Sequence, residues 1–229
     1  MKRLSDYLID CLHERGVRHV FMLSGGGIMY LVDSVGKSGM EYVCCHHEQA
    51  CAIAAQAYAM YKNTLSVCLV TTGPGGTNAL TGAAAAFVDS TPVLFISGQV
   101  KRADFASLRG VRQYGAQEND IVSMARPVTK YAATVTEPED IRYHLEKALF
   151  LALNGRRGPV WLDIPLDVQS AMIDETKLRG FEPREEKLEH TAEAARLAKR
   201  SEMAAKAARR ASDMLKQARR PLFLIGHGV

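Results

Sequence analysis

Three apolar runs in the first seventy residues each break off at a tight turn and hand over to a helix-forming stretch. Phe21-Met22-Leu23 meets Ser24-Gly25-Gly26-Gly27, and Val67 to Val70 meets Thr71-Thr72-Gly73-Pro74-Gly75-Gly76. Tyr42-Val43-Cys44-Cys45 passes through His46-His47-Glu48 into an Ala-rich stretch ending near Tyr58. Runs this short and this apolar read as strands buried on both faces. Strand and helix alternate to about residue 165, which predicts an α/β fold: a doubly wound parallel sheet with helices on both faces. Strand ends that bring glycines and one acid to the same sheet edge point to a cofactor crevice there.

Taken in order, Ser5 is expected to cap a first helix whose face carries Tyr7, Leu8, Cys11 and Leu12. Strands follow over 17–23, 41–45, 66–71, 92–97, 128–135 and 158–164. The run 42–45 is expected to be a buried strand. Helices are expected over 28–36, 48–62, 76–88 and from the acidic turn at Glu137 to Leu153, where acids favour the helix N-terminus. Lys101 to Ala116 is a long polar loop. Residues 1–168 thus form one domain. Residues 169–219 read as a linker containing a long surface helix over 192–218, and Pro221 to Ile225 reads as one more buried strand. That strand is expected to open a second, truncated domain at 220–229.

The chain has 229 residues, 47% of them hydrophobic, so it can bury a substantial core. The net charge is +4, with much of the basic excess near the C-terminus, and no aromatic-interleaved basic patch points to nucleic acid. The five cysteines are odd in number and lack paired metal spacing, which fits reduced thiols in a cytoplasmic protein. No signal-type run opens the chain, and none reaches the ~20 residues of a membrane span.

Glu48 is the most informative single residue. An acid between an apolar strand and a close-packed helix is costly unless it has a partner. It could hydrogen-bond a ring nitrogen of a bound cofactor, or only favour the helix dipole. Cys44, Cys45, His46 and His47 make a poor metal set, because successive strand residues point to opposite faces. Gly73 to Asn78 could cradle a phosphate or could serve only close packing. It has neither the Lys-Ser/Thr ending of a P-loop nor a dinucleotide spacing. Asn154 to Gly158 could be no more than a helix C-cap with solvated arginines.

The ordered motifs His47-Glu48-Gln49-Ala50, Thr71-Thr72-Gly73-Pro74-Gly75-Gly76-Thr77-Asn78, Asp89-Ser90-Thr91-Pro92, Ser97-Gly98-Gln99-Val100, Gln117 to Val122, Arg126 to Lys130 and Gly158 to Pro165 resemble one family. It is the thiamine-diphosphate enzymes of the acetolactate synthase type, in their N-terminal pyrimidine-binding domain. The resemblance covers about residues 1–168, and 220–229 is similar to the opening of that family's central domain.

The resemblance implies that Glu48 bonds the aminopyrimidine N1′ and favours the imino form that takes the thiazolium C2 proton. Carbon dioxide then leaves a 2-keto acid such as pyruvate, and the two-carbon unit passes to a carbonyl acceptor. By position, Ser24, Gly25, Gly26 and Gly27 match the family's Pro-Gly-Gly turn, with Ser24 replacing proline. Thr71, Pro74 and Asn78 match residues lining the pyrimidine or the subunit interface, and Gln117 matches a glutamine facing the reacting centre. Arg156 matches an arginine that helps hold FAD where it is kept. Magnesium is expected in a C-terminal domain that this chain does not carry, so no metal ligand is assigned here. The active site is expected to be shared between subunits of a homo-oligomer.

Two departures bear on the acceptor. The loop between Val100 and Gln117 is longer than in typical acetolactate synthases, and Ala116 stands where they usually carry phenylalanine. The patterns Gly25 to Met29, His46 to Cys51 and Gly110 to Gln113 are similar to relatives of surface-polysaccharide and branched-sugar pathways. The alternatives are therefore transfer to a keto-sugar or an assembly subunit without catalysis.

Overall fold

The computed structural model describes residues 1–184 and 191–224. It divides into two compact units, Met1–Phe181 and Glu182–Val229.

The first unit opens with β1 (Lys2–Arg3) and α1 (Leu4–Glu14), then β2 (His19–Met22), α2 (Met29–Lys37), β3 (Glu41–Cys44) and α3 (Glu48–Lys62). It continues through β4 (Ser66–Val70), α4 (Pro74–Val88), β5 (Val93–Gln99), α5 (Ile121–Ala125), β6 (Ala132–Thr134) and α6 (Ile141–Leu153). It closes with β7 (Val160–Pro165), α7 (Leu166–Gln169) and β8 (Met172–Ile173). Six strands form one parallel sheet in the order β3-β2-β4-β5-β7-β6, so the expected doubly wound sheet is present. The chain moves outward from β2 to β3, then returns across β2 to β4. The winding reverses between β2 and β4, and such a reversal opens a crevice at the C-terminal ends of the strands.

Strand alternation fills both faces. Val20, Met22, Val67, Leu69, Leu94, Ile96, Val160, Leu162 and Ile164 join one core with α1, α2 and α6. Phe21, Cys68, Val70, Val93, Phe95 and Trp161 join the other with α3, α4 and α5. Phe95 and Trp161 stack there, ring centroids 5.0 Å apart. On this second face the helices press close because their inner residues are small. A Cβ at Gly82 of α4 would stand 2.4 Å from the Cβ of Ala52 in α3.

Three local expectations in the first unit are corrected. The first helix begins at Leu4 after Arg3; Ser5 lies inside it, buried, and its hydroxyl has no partner among the described residues. Arg3 meets Asp6, Asp33 and Ser34, so the helix start is held by an ion-pair cluster and not by a serine cap. β3 is exposed along its whole length, because it is the edge strand and no described element of this unit covers it. The expected linker after residue 168 is built into the first unit as far as residue 181. Met172-Ile173 pairs antiparallel with Lys2-Arg3, and Ile173, Leu178 and Phe181 are buried. These anchors have no helical or strand period, so a pattern search misses them.

In the second unit α8 (Thr191–Gln217) is the long helix expected there. Residues 221–224 carry no regular secondary structure where a strand was expected, and 225–229, the rest of that strand, lie outside the described residues. Among the described residues no helix is long and apolar enough to cross a membrane.

Candidate active site

The crevice at the β2/β4 reversal is built almost wholly from the turns after those strands and the start of α3. Thr71, just past β4, is its hub. The Gly27 backbone N–H donates to Thr71 Oγ1 at 3.2 Å, tying the two turns together. A Cβ at Gly25 would stand 2.5 Å from the Thr71 Cβ, and one at Gly75 would stand 2.8 Å from its Cγ2. Side chains are excluded there, so backbone lines the floor of the crevice. Gly26 faces open space.

Glu48 is the first residue of α3 and is only 9% exposed. His47 caps the helix, its Nδ1 accepting from the Gln49 N–H at 3.1 Å, so this nitrogen is unprotonated in the bond. Asn78, one turn into α4, donates from Nδ2 to Glu48 Oε2 at 3.0 Å. Glu48 Oε1 lies toward Gly75, 3.7 Å from where a Cβ there would be, and takes no hydrogen bond from any described residue. The partner that burial demands is therefore present on one oxygen alone.

Gly73, at the N-terminal boundary of α4, has φ 66 and ψ −115, a conformation open to glycine alone. A Cβ there would stand 2.0 Å from the carbonyl oxygen of Gln117. Gln117 itself takes a left-handed backbone, φ 62. The glycine thus lets the segment carrying Gln117 close onto the β4 turn. Gln99, at the end of β5, donates to the Asn119 carbonyl at 2.9 Å and to Asp163 Oδ2 at 3.1 Å. Asp163, buried in β7, also accepts from Ser97 Oγ at 2.6 Å and from Thr134 Oγ1 at 3.3 Å. Trp161 Nε1 donates to the same serine oxygen at 2.8 Å. Burial pushes the Asp163 carboxyl up to about 7, against the bonds from Ser97, Gln99 and Thr134, which favour its charged form.

Of the residues picked out by sequence, Glu48, Gly25, Thr71 and Asn78 come together, and Gln117 joins them through Gly73. Ser24, Gly26 and Pro74 stand on the same strand ends. Arg156 is not part of this group. It precedes β7 and donates to Ser90 Oγ, just before β5, at 2.7 Å, on the opposite edge of the sheet. Among the described residues no three His, Cys, Asp or Glu side chains gather as a metal set. Burial pushes the Cys51 thiol up to about 12 and the Cys68 thiol well above its ordinary value, so both behave as core groups.

Gly27, Gly73 and Gly75 were named in the sequence only as parts of glycine turns, and Gln99 and Asp163 only within longer motifs, so none was given the contact it makes here. A charged residue inside the apolar run Val160 to Ile164 was the available signal for Asp163, and a glycine before proline was the signal for Gly73.

A parallel sheet whose winding reversal carries a glycine floor and one half-satisfied buried carboxylate has the layout of a cofactor crevice. The chain belongs to the family of thiamine pyrophosphate enzymes, in their N-terminal TPP binding domain, whose model matches residues 2–124. Among curated relatives, it is 40% identical over 171 residues to "Acetolactate synthase" of Arthrospira platensis, covering 73% of this chain and 28% of the relative. It is 39% identical over 170 residues to "Acetolactate synthase large subunit" of Haemophilus influenzae, covering 73% and 29%. To "Acetolactate synthase isozyme 3 large subunit" of Escherichia coli it is 39% identical over 165 residues, covering 72% and 28%. The alignments thus span less than a third of the length of these relatives.

Proposed function

We propose that this chain is the N-terminal part of a thiamine-diphosphate-dependent carboligase of the acetolactate synthase type. The enzyme would decarboxylate a 2-keto acid, pyruvate first among candidates, and pass the two-carbon unit to a carbonyl acceptor. The observation that carries this reading is Glu48: a buried carboxylate with Oε2 held by Asn78 and Oε1 free toward a floor of glycines. That arrangement fits a flat heteroaromatic ring with a basic nitrogen. When bound, the cofactor supplies the electron sink that lets a 2-keto acid lose carbon dioxide.

The chain's own residues have separate tasks. Glu48 would hold a proton at the ring nitrogen, and Asn78 keeps its carboxylate turned toward it. Gly25, Gly26, Thr71 and Pro74 would shape the crevice, with Ser24 at its rim. Gln117 would face the reacting carbons. Magnesium belongs to this proposal as an ion held outside this chain. FAD belongs to it only through Arg156, an exposed guanidinium on the far sheet edge.

A homo-oligomer with shared sites is part of the reading, in the cytoplasm and without nucleic acid. Its support is the apolar surface left on edge strand β3 and on α3 and α4: Tyr42, Val43, Ile53, Phe87 and Val88. The relatives' names favour the acetolactate reading over a keto-sugar acceptor or an assembly-only subunit.

The test is Glu48→Gln in the complete enzyme, scored by carbon dioxide release from pyruvate. A loss of roughly a hundredfold or more is expected for a removed acid–base group. Unchanged release would sink the proposal.

A further inference from the structure

The loop between β5 and α5 is gathered by one carboxylate that the site above does not use. Glu118 Oε1 accepts from the Ala106 N–H at 2.7 Å, and Oε2 accepts from the Tyr114 and Gly115 N–H groups, each at 3.1 Å. These donors span the loop from its middle to its end. They converge on the residue next to Gln117, and three backbone donors on one carboxylate make strong, charge-assisted bonds. The Glu118 backbone N–H donates in turn to the Gly115 carbonyl at 3.2 Å. On the other side, Asn119 is tied to the sheet through Gln99 and Asp163. The loop, Glu118 and Gln117 therefore hang together as one piece. This piece roofs a cavity of about 380 Å³ at the C-terminal ends of β5, β6 and β7, bordered by Phe105, Val111, Arg112, Thr134 and Asp163.

We propose that Glu118 is a positioning residue that holds the 106–115 loop against the Gln117 segment and thereby sets the space open to the acceptor substrate. The inference rests on the carboligase reading, and on that reading Gln117 stands beside the reacting carbons. Gly115 shows how tight the loop's seat is: a Cβ there would stand 2.6 Å from Val100 Cγ1. Once the clasp is lost, the loop's end can leave Val100 and the cavity roof lifts. The carboxylate's bonds go to Ala106, Tyr114 and Gly115 and none to Glu48, Asn78 or Thr71, so its loss bears on the acceptor space far more than on the first half of the reaction.

The experiment uses Glu118→Gln in the complete enzyme. The amide places an N–H pair against backbone N–H groups and so breaks at least one of the three bonds. Three quantities are read: carbon dioxide release from pyruvate, the ratio of products from two competing 2-keto acid acceptors of different side-chain length, and trypsin cleavage after Arg109 and Arg112. Carbon dioxide release should stay within about twofold, the product ratio should shift at least about threefold, and cleavage should quicken roughly tenfold. Glu118→Asp, which keeps the charge but shortens the reach, should move the same readouts in the same direction, and it serves if the amide variant does not fold. An unchanged product ratio, or release and ligation falling in parallel, overturns the role of Glu118. Failure of the wild-type enzyme to release carbon dioxide overturns the carboligase reading instead.

Discussion

Substituting Asp163 by asparagine should remove a pH dependence from the stability of the first unit. Burial raises this carboxyl from 3.8 to about 7. A raised carboxyl pKa means the folded state prefers the proton. The resulting stabilisation is complete below the unfolded pKa and is lost as pH rises through the folded one. A shift of about three units corresponds to ~4 kcal/mol, of which about 3 kcal/mol disappears between about pH 5 and about pH 8. The amide of the Asp163→Asn variant would be neutral throughout and would present one oxygen to the surrounding Ser97, Gln99 and Thr134 groups, as the protonated acid does. The assay is urea unfolding of wild type and Asp163→Asn at several pH values. It can be followed by the fluorescence of Trp161, the single tryptophan, which is fully buried and bonded to Ser97. The two proteins should be nearest in stability at about pH 8, apart from any fixed cost of the amide. Wild type should gain about 3 kcal/mol relative to the variant on going down to about pH 5. Parallel curves would refute the reasoning, since groups elsewhere titrate equally in both.

Two further predictions probe the close approaches. Gly73→Ala requires a Cβ 2.0 Å from the Gln117 carbonyl oxygen at a backbone conformation reserved for glycine. It should cost about 2 kcal/mol or more in urea unfolding and weaken thiamine diphosphate binding by calorimetry. Gly82→Val should wedge α3 from α4 at Ala52, lowering stability by about 1–3 kcal/mol, with a smaller loss for Gly82→Ala.

The parallel sheet was legible because its strands are covered on both faces, so their apolar runs in the interior are unbroken from Val67 to Val70 and from Val93 to Ile96. The same rule misread β3: Tyr42 and Val43 look like core residues, yet they lie on an edge that no described element of this unit covers. Glu48 was legible because an acid at the mouth of a small-residue helix is chemically conspicuous. Asn78 as its partner was not, because 30 residues separate the pair and only the packing of α3 on α4 brings them together. The Glu118 clasp was hidden for a related reason. Its three partners are backbone N–H groups, which carry no side-chain signature, and only the folded loop aims them at one carboxylate.

The central claim is that Glu48 works on the cofactor ring and is more than a buried acid at a helix start. The measurement that tests it most directly is the rate of exchange of the cofactor's thiazolium C2 proton with solvent deuterium, in wild type and in Glu48→Gln at equal cofactor occupancy. The account predicts a fall in the exchange rate of about a hundredfold or more, with the cofactor still bound. An exchange rate that survives the substitution would contradict it and return Glu48 to a structural role at the start of α3.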